Sequence, residues 1–251
     1  MSATPTFAAE IKNLSVICPG KFPFGNLPGC EKKILDRINL NLEKGVFYSL
    51  IGANGAGKST LLKALCGLRS FSGSVKIFGR DLKKVKRNII GYSPQNDASD
   101  KNCPVSVYEA VSVGRFAKNG IFRKFLQEDA NAVQKALALT GIENIKNMPI
   151  GAISGGEARK TSLARVIAQQ PEIVLFDEPQ ANLDPQSKQD FMSLIKVLYK
   201  KFAFTCLMAT HDIDLIPDCC SKVIMLKNSK IVLETDNENI AKKAKEYNIY
   251  S

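Results

Sequence analysis

Short apolar runs separated by glycine and polar residues predict β-strands near both ends of the chain. Val46 to Ile51 is a β-branched and aromatic run, Ile173 to Phe176 is wholly apolar, and Phe204 to Ala209 is nearly so. Runs of this kind are typical of strands that are covered on both faces. Further predicted strands are Ile11–Ile17, Ile38–Leu42, Val75–Phe78, Val223–Leu226 and Ile231–Leu233.

The segments between these runs predict turns and helices. Lys227 to Lys230 fits a hairpin turn, and Pro19 to Cys30 is rich in glycine and proline and predicts a loop. Residues 95 to 170 look mainly helical, with helices at Val105–Phe116, Glu128–Thr140 and Gly155–Gln169. The pattern predicts an α/β fold with a mostly parallel core sheet, an antiparallel β edge and a helical subdomain at about 95–170. We expect one domain over residues 1–251.

A glycine-rich segment joins the predicted strand Val46–Ile51 to a helix that begins at Lys58 and ends near Gly67. From Gly52 to Thr60 it matches the G-x-x-x-x-G-K-[ST] phosphate loop. Glycines let backbone N–H groups turn inward around an anion, and the positive end of the following helix faces the same anion. We therefore expect Lys58 to reach the β- and γ-phosphates of a nucleotide and Ser59 to bind Mg²⁺.

Polar residues follow two of the apolar runs at their carboxyl ends. Asp177 and Glu178 follow Phe176, and His211, the only histidine of the chain, comes two residues after Ala209. Ligands of open α/β sheets bind at the carboxyl ends of the strands. A single histidine is usually a bystander, but a phosphate loop and a carboxylate pair in the same chain favour a functional role for His211.

The order and spacing of six motifs resemble those of the ATP-binding cassette (ABC) ATPases over nearly the whole chain. The similar segments are Gly52–Thr60 for Walker A, Gln95 for the Q-loop glutamine, Ile153–Glu157 for the signature, Ile173–Asp177 for Walker B, Ala181–Asp184 for the D-loop, and His211 for the switch histidine. Two departures stand out. Glu157 replaces the usual signature glutamine, for which we expect altered tuning rather than loss of function. Val16-Ile17-Cys18 lacks the adenine-stacking aromatic ring, for which Phe22 and Phe24 are the nearby alternatives.

The resemblance implies an enzyme that hydrolyses ATP with Mg²⁺ and drives transport through a separate membrane permease. The implied catalytic residues are Glu178 as base, His211, Lys58 and Gln95. The implied nucleotide-binding residues are Gly52, Asn54, Gly55, Gly57, Lys58, Ser59, Thr60, Ser154, Gly155, Gly156 and Glu157. The implied magnesium ligands are Ser59, Gln95 and Asp177. Residues 154–157 are implied to complete the site of a partner in a head-to-tail homodimer that sandwiches two ATP molecules.

Charge, cysteine content and hydropathy narrow the possible partners and location. The chain has 35 Lys and Arg against 24 Asp and Glu, a net charge of +11. This excess fits a solvated basic surface or proximity to anionic lipid, and we expect no nucleic acid because aromatic residues do not interleave with the basic ones. Seven scattered cysteines indicate a reduced compartment. Without a signal peptide or a run of ~20 apolar residues, the predicted location is cytoplasmic, peripheral on the inner face of the membrane.

The segment from Asn102 to Arg115 suggests a class of transported substrate. It is similar to the Pro-x-x-Val…Gly-Arg segment of importer ATPases for zinc or manganese and for iron–siderophore, haem or cobalamin chelates. We therefore expect import of a metal ion or metal chelate, with a substrate-binding protein as a further partner. Core packing of the valines accounts for part of the same pattern. The alternatives are a transporter for another substrate and a soluble ABC ATPase of iron–sulfur cluster assembly. ABC ATPases of DNA repair or translation need a long coiled coil or a second cassette, which the chain lacks.

Overall fold

The computed structural model describes residues 7–22, 25–95, 103–119, 124–238, 240–247 and 249. The strands are β1 (Phe7–Phe22), β2 (Gly25–Glu43), β3 (Phe47–Ile51), β4 (Ser72–Ile77), β5 (Arg80–Asp81), β6 (Ile90–Ser93), β7 (Ile173–Asp177), β8 (Thr205–Thr210), β9 (Lys222–Lys227) and β10 (Lys230–Asp236). The helices are α1 (Lys58–Leu65), α2 (Val107–Asn119), α3 (Gln127–Thr140), α4 (Gly155–Gln169), α5 (Pro185–Phe202) and α6 (Ile240–Glu246). The chain forms two compact units, Met1–Val85 with Leu207–Ser251, and Lys86–Cys206.

The first unit contains an antiparallel sheet in the order β2-β1-β4-β5. The predicted loop at Pro19–Cys30 is wrong, because residues 19–22 and 25–30 belong to the long hairpin of β1 and β2. Strand β4 pairs with β1 only as far as Ser15. Beyond that point the described sheet consists of β1 and β2 alone, and a proline, which lacks an N–H group, is tolerated on such an edge strand. The glycines and prolines of this segment therefore indicated a loop where the chain forms a strand.

The first unit also contains the parallel pair β3 and β9, with Leu50 opposite Ile224. All five residues of β3 are buried, as the apolar run predicted. Strand β9 continues into β10 through a tight turn at Asn228 and Ser229, whose φ angles are 48° and 66°. Positive φ at both turn residues matches the right-handed twist of a hairpin, so the predicted hairpin turn is confirmed.

The second unit combines the parallel pair β6 and β7 with helices α2 to α5. Helix α2 packs closely against α4, since a Cβ atom on Gly114 would lie 2.2 Å from the carbonyl oxygen of Arg165. Arg115 is buried and donates from Nε to Asp129 of α3 at 2.9 Å and from Nη1 to the Ala168 carbonyl at 2.8 Å. The Gly114-Arg115 pair of the predicted importer segment therefore joins the helices of this unit.

The predicted helices and parallel strands are present, and the α/β fold class is confirmed. Strand β8 begins in the second unit and ends in the first. The second unit extends beyond the predicted helical subdomain at both ends, and the single domain with an inserted helical subdomain stays a prediction. Among the described residues, no helix combines the length and the apolar character that crossing a bilayer requires.

Candidate active site

The phosphate loop lies between β3 and α1 in the first unit. Gly55 and Gly57 have φ angles of 80° and 109°, which residues with a Cβ rarely adopt. At Gly52 a Cβ atom would lie 2.4 Å from the carbonyl oxygen of Leu226. Gly57 also stands at the N-cap of α1 and has no side chain with which to cap it. A glycine-rich loop at the start of a helix favours an anion.

Lys58 lies against this loop. Its Nζ atom donates to the carbonyl oxygens of Gly52 at 2.8 Å and Ala53 at 3.2 Å, and the residue is only 4% exposed. Ser59 and Thr60 follow it in the first turn of α1 and are half-buried. Asn54 and Gly55 are exposed on the loop. The predicted phosphate-binding residues of the first unit thus form one continuous strand–loop–helix element.

Asp177 ends β7 in the second unit, and Glu178 follows it directly. Asp177 and Glu178 are 2% and 6% exposed. The hydroxyl of Tyr92 on β6 donates to Asp177 Oδ2 at 3.0 Å. Tyr92 was not among the predicted site residues, because neither its position in the chain nor its spacing from Asp177 forms a motif.

Gln95 contacts the second of these acidic residues. Its amide nitrogen donates to Glu178 Oε2 at 3.1 Å, so the structure brings two of the predicted catalytic residues together. Glu178 has a φ angle of 47°, an uncommon value for a non-glycine residue, and a turn follows it in which the N–H group of Ala181 donates to its carbonyl oxygen at 3.0 Å. Glu178 is thus held both through its side-chain carboxylate and through its backbone carbonyl group.

The predicted signature residues form the start of α4 in the second unit. Ser154 is the N-cap, and its hydroxyl accepts from the N–H group of Glu157, while Glu157 Oε2 accepts from the N–H group of Ser154 at 2.8 Å. This reciprocal arrangement is a capping box, and the Ser154 hydrogen bonds lower the pKa of Glu157. Gly155 is exposed, and a Cβ atom on Gly155 or Gly156 would meet no atom within 4 Å.

His211 lies directly after β8 in the first unit and is exposed. The Thr210 hydroxyl accepts from the N–H group of Asp212 at 3.0 Å, which fixes the backbone on both sides of the histidine. In the second unit, Asp184 of the predicted D-loop caps α5 by accepting from the Ser187 N–H group at 3.0 Å. Phe24 and the side chain of Phe22, the predicted alternatives for adenine stacking, lie outside the described residues.

A family model described as "ABC transporter" matches residues 35–181, more than half of the chain. The chain belongs to the ABC transporter family. It is an ATPase of that family, as the motifs predicted. It is similar to the high-affinity zinc uptake system ATP-binding protein ZnuC of Bacillus subtilis, with 35% identity over 199 residues that cover 78% of this chain and 86% of that protein.

A second relative and a solved structure agree with this assignment. The chain is similar to the manganese transport system ATP-binding protein MntB of Bacillus subtilis, with 33% identity over 218 residues that cover 84% of this chain and 86% of that protein. Its fold is similar to that of a dimeric bacterial ABC transporter cassette, with a TM-score of 0.76, 25% identity, and coverage of 92% of this chain and 99% of the other. The fold class predicted from sequence is therefore that of ABC transporter cassettes.

Proposed function

We propose that this ABC ATPase energises the import of a metal ion or metal chelate through a separate membrane permease. Two observations support this substrate class. Relatives of more than 30% identity, over most of both chains, are named for zinc uptake and manganese transport. The segment from Pro104 to Arg115 also resembles that of importer ATPases for metals. A substrate-binding protein is the further expected partner, and the inner face of the membrane is the expected location.

The observation that carries the hydrolytic role is the buried carboxylate of Glu178 held by Gln95. Hydrolysis of ATP needs a base or polarising group for water, neutralisation of phosphate charge and exclusion of bulk solvent. Glu178 is 6% exposed and its carboxylate accepts from Gln95 at 3.1 Å. We assign to Glu178 the orientation of the attacking water, to Lys58 the neutralisation of the β- and γ-phosphates, and to His211 contact with the γ-phosphate.

The residues of the phosphate loop fit the triphosphate of ATP. Gly52 and Gly57 leave no room for a Cβ atom, and the loop presents the N–H groups of a helix start. Lys58 rests on the neutral carbonyl oxygens of Gly52 and Ala53. Phosphate oxygens are negatively charged acceptors, which attract the ammonium group more strongly than neutral carbonyl oxygens do. The loop therefore binds the phosphates through its backbone and through one cation.

The proposed magnesium ligands are chemically suited to Mg²⁺. This ion prefers hard oxygen ligands and few protein contacts. Ser59 offers a hydroxyl, Gln95 an amide oxygen and Asp177 a carboxylate, one oxygen of which Tyr92 orients. When bound, the ion would neutralise charge on the β- and γ-phosphates. Among the described residues there is no group of three or more His, Cys, Asp or Glu residues that could hold a metal ion.

The homodimer is the proposed working state, with Ser154, Gly155 and Gly156 of one subunit completing the ATP site of the other. A cassette of similar fold is dimeric. Gly155 is exposed at the start of α4, where N–H groups favour an anion. Closure of the dimer on ATP and its opening after hydrolysis would then drive the permease.

Glu178→Gln tests the hydrolytic assignment. The substitution keeps the size of the side chain and removes the charge that polarises water, so we expect loss of ATP turnover with ATP binding retained. ATPase assays with Mg²⁺, nucleotide titration and size-exclusion chromatography measure these effects, and the variant should accumulate as an ATP-bound dimer. Glu143→Gln, an exposed glutamate in the same unit, is the matched control. Wild-type turnover in Glu178→Gln would contradict the assignment.

Purification of the chain with its partners from its native membrane tests the transport role. If the chain serves a metal importer, a polytopic membrane protein should co-purify with it. Reconstitution of that membrane protein with the chain should give ATP-dependent uptake of zinc or manganese. Cluster-assembly proteins in its place would favour the iron–sulfur alternative. Co-purification of a permease that carries a different substrate would support the transport role and contradict a metal as the transported substrate.

A further inference from the structure

Arg159 connects two segments of the candidate active site within the second unit. It lies on α4, five residues after Ser154. Its Nη1 atom donates to the carbonyl oxygen of Pro94 at 3.3 Å, and its Nη2 atom donates to the carbonyl oxygen of Ala181 at 3.2 Å. Pro94 directly precedes Gln95, and Ala181 closes the turn that begins at Glu178. One guanidinium group therefore fixes the separation of the two segments.

These bonds close a ring. Gln95 donates to the carboxylate of Glu178 at 3.1 Å, and the N–H group of Ala181 donates to the Glu178 carbonyl oxygen at 3.0 Å. Arg159 completes the ring through its hydrogen bonds to the carbonyl oxygens of Pro94 and Ala181. Displacement of either segment would stretch at least one bond in the ring.

The geometry explains why an arginine suits this position. Its guanidinium is a planar fork that donates in two directions at once, whereas a lysine ammonium is a compact point charge on a flexible stem. Glu178 has a φ angle of 47°, a conformation that persists where the surroundings hold it. The bond from Arg159 to Ala181 supplies such a constraint on the turn that carries Glu178.

We propose that Arg159 is a positioning residue for ATP hydrolysis. It sets the placement of Gln95 relative to Glu178 and links that placement to α4, the helix that begins at the signature. The inference rests on the catalytic roles proposed above for Gln95 and Glu178. It assigns Arg159 no contact with ATP, so its effect falls on turnover and not on nucleotide affinity.

Arg159→Met and Arg159→Lys test this role through kcat and KM for ATP. Small misplacements of catalytic groups reduce rates by up to about a hundredfold. We expect Arg159→Met to lower kcat roughly ten- to a hundredfold, with KM for ATP little changed because the phosphate loop keeps its own contacts. Arg159→Lys, which retains one donor group, should recover part of kcat. Arg165→Met is the matched control, since Arg165 lies on the same helix and donates to Ser162 of that helix.

A double-mutant cycle separates positioning from general stability. If Arg159 acts through Gln95 and Glu178, then Arg159→Met should cost much less kcat in a Gln95→Ala background than in the wild type. Full additivity, wild-type kcat in Arg159→Met, or an equal loss of kcat in Arg165→Met would each overturn the proposal. Thermal unfolding checks the fold. If Arg159→Met does not fold, Arg159→Lys decides, since wild-type kcat in a folded Arg159→Lys variant also overturns it.

The outcomes distinguish this inference from the function on which it rests. A wild-type chain without ATPase activity, or an active Glu178→Gln variant, would remove the proposed catalytic roles themselves. An active wild type with an inactive Glu178→Gln variant and a fully active Arg159→Met variant would remove only the role of Arg159.

Discussion

Lys58 shows how a single side chain can be prepared for a charged ligand. Its ammonium group is buried and donates to two backbone carbonyl oxygens of its own loop, at 2.8 and 3.2 Å. Burial of an ammonium group is costly unless it is hydrogen-bonded, and these carbonyls supply the bonds. A phosphate that enters the loop offers charged acceptors instead. The exchange favours binding because a phosphate oxygen carries a charge opposite to that of the ammonium group, whereas a carbonyl oxygen is neutral.

Lys58→Ala should therefore lower ATP affinity by at least about tenfold. Isothermal titration calorimetry with ATP measures the change. Lys63→Ala, an exposed lysine in the last turn of the same helix, is the control and should bind ATP as the wild type does. Unchanged affinity in Lys58→Ala would contradict the phosphate-loop assignment.

The residues of the candidate site differ in how well a sequence can predict them. Lys58, Asp177 and Glu178 belong to contiguous motifs whose spacing follows from a strand, a turn and a helix. Tyr92 and Arg159 act through partners far along the chain, since Tyr92 contacts Asp177 85 residues away and Arg159 contacts Pro94 65 residues away. Their roles depend on the folded arrangement of side chains. The pattern of residues along one sequence carries no signal for this folded arrangement.

At the scale of elements, two helices begin with the same capping box. At α2, Glu109 accepts from the N–H group and the hydroxyl of Ser106 at 2.8 and 2.7 Å. At α4, Glu157 accepts from Ser154 at the same two distances. In both boxes the serine hydrogen bonds lower the pKa of the glutamate. A lowered pKa stabilises the folded chain at pH values above the ordinary glutamate pKa of about 4.3. This stabilisation is lost as the pH falls through the lower pKa of the folded state. Both glutamates are therefore charged at neutral pH.

This local likeness makes Glu109 a matched control for Glu157. Glutamine can still accept through its amide oxygen, so Glu109→Gln and Glu157→Gln should have similar, small effects on the melting temperature. Only Glu157 is expected to face the phosphates of a partner subunit. Removal of its charge should raise ATP turnover about twofold to fivefold, the effect of one screened exposed charge. Equal turnover in both variants would mean that Glu157 serves the helix alone.

Some elements are predicted well by sequence patterns and others are not. The start of α4 was predicted at Gly155, and the structure has a capping box of Ser154 and Glu157 there. Helix α5 was missed although Asp184 and Pro185 form a comparable start, with the proline in its first turn. The loop predicted at Pro19–Cys30 is wrong because glycine and proline mark breaks in a strand only where the backbone must pair on both edges.

At the scale of the whole molecule, the role proposed for the signature requires a second subunit. Gly155 is exposed, and a Cβ atom there would meet no atom within 4 Å. An aspartate at this position also lies in the first turn of α4, where a negative charge is favourable to the helix. The described part of the chain therefore leaves room for the Cβ atom that Gly155→Asp adds, and we expect a functional defect in that variant to arise from a partner.

Gly155→Asp should keep the melting temperature and the ATP affinity of the wild type while it loses dimer closure and ATP hydrolysis. Its carboxylate would oppose the γ-phosphate of the partner, and at about 4 Å with an effective dielectric near 20 the repulsion is roughly 4 kcal/mol before screening. Gly155→Ala, which adds the Cβ atom without the charge, is the control and should lose much less activity. Wild-type hydrolysis by Gly155→Asp, where the wild type dimerises, would show that the signature is only a turn.

Mixing Gly155→Asp with Lys58→Ala then tests the head-to-tail arrangement. In such a heterodimer, one ATP site combines the intact phosphate loop of the first chain with the intact signature of the second. The other site carries both lesions. Activity should therefore rise in the mixture above that of either variant alone, because the two defects fall in the same site and leave the other site intact. If each chain instead hydrolysed ATP with its own phosphate loop and its own signature, every site would carry one lesion and the mixture would stay inactive.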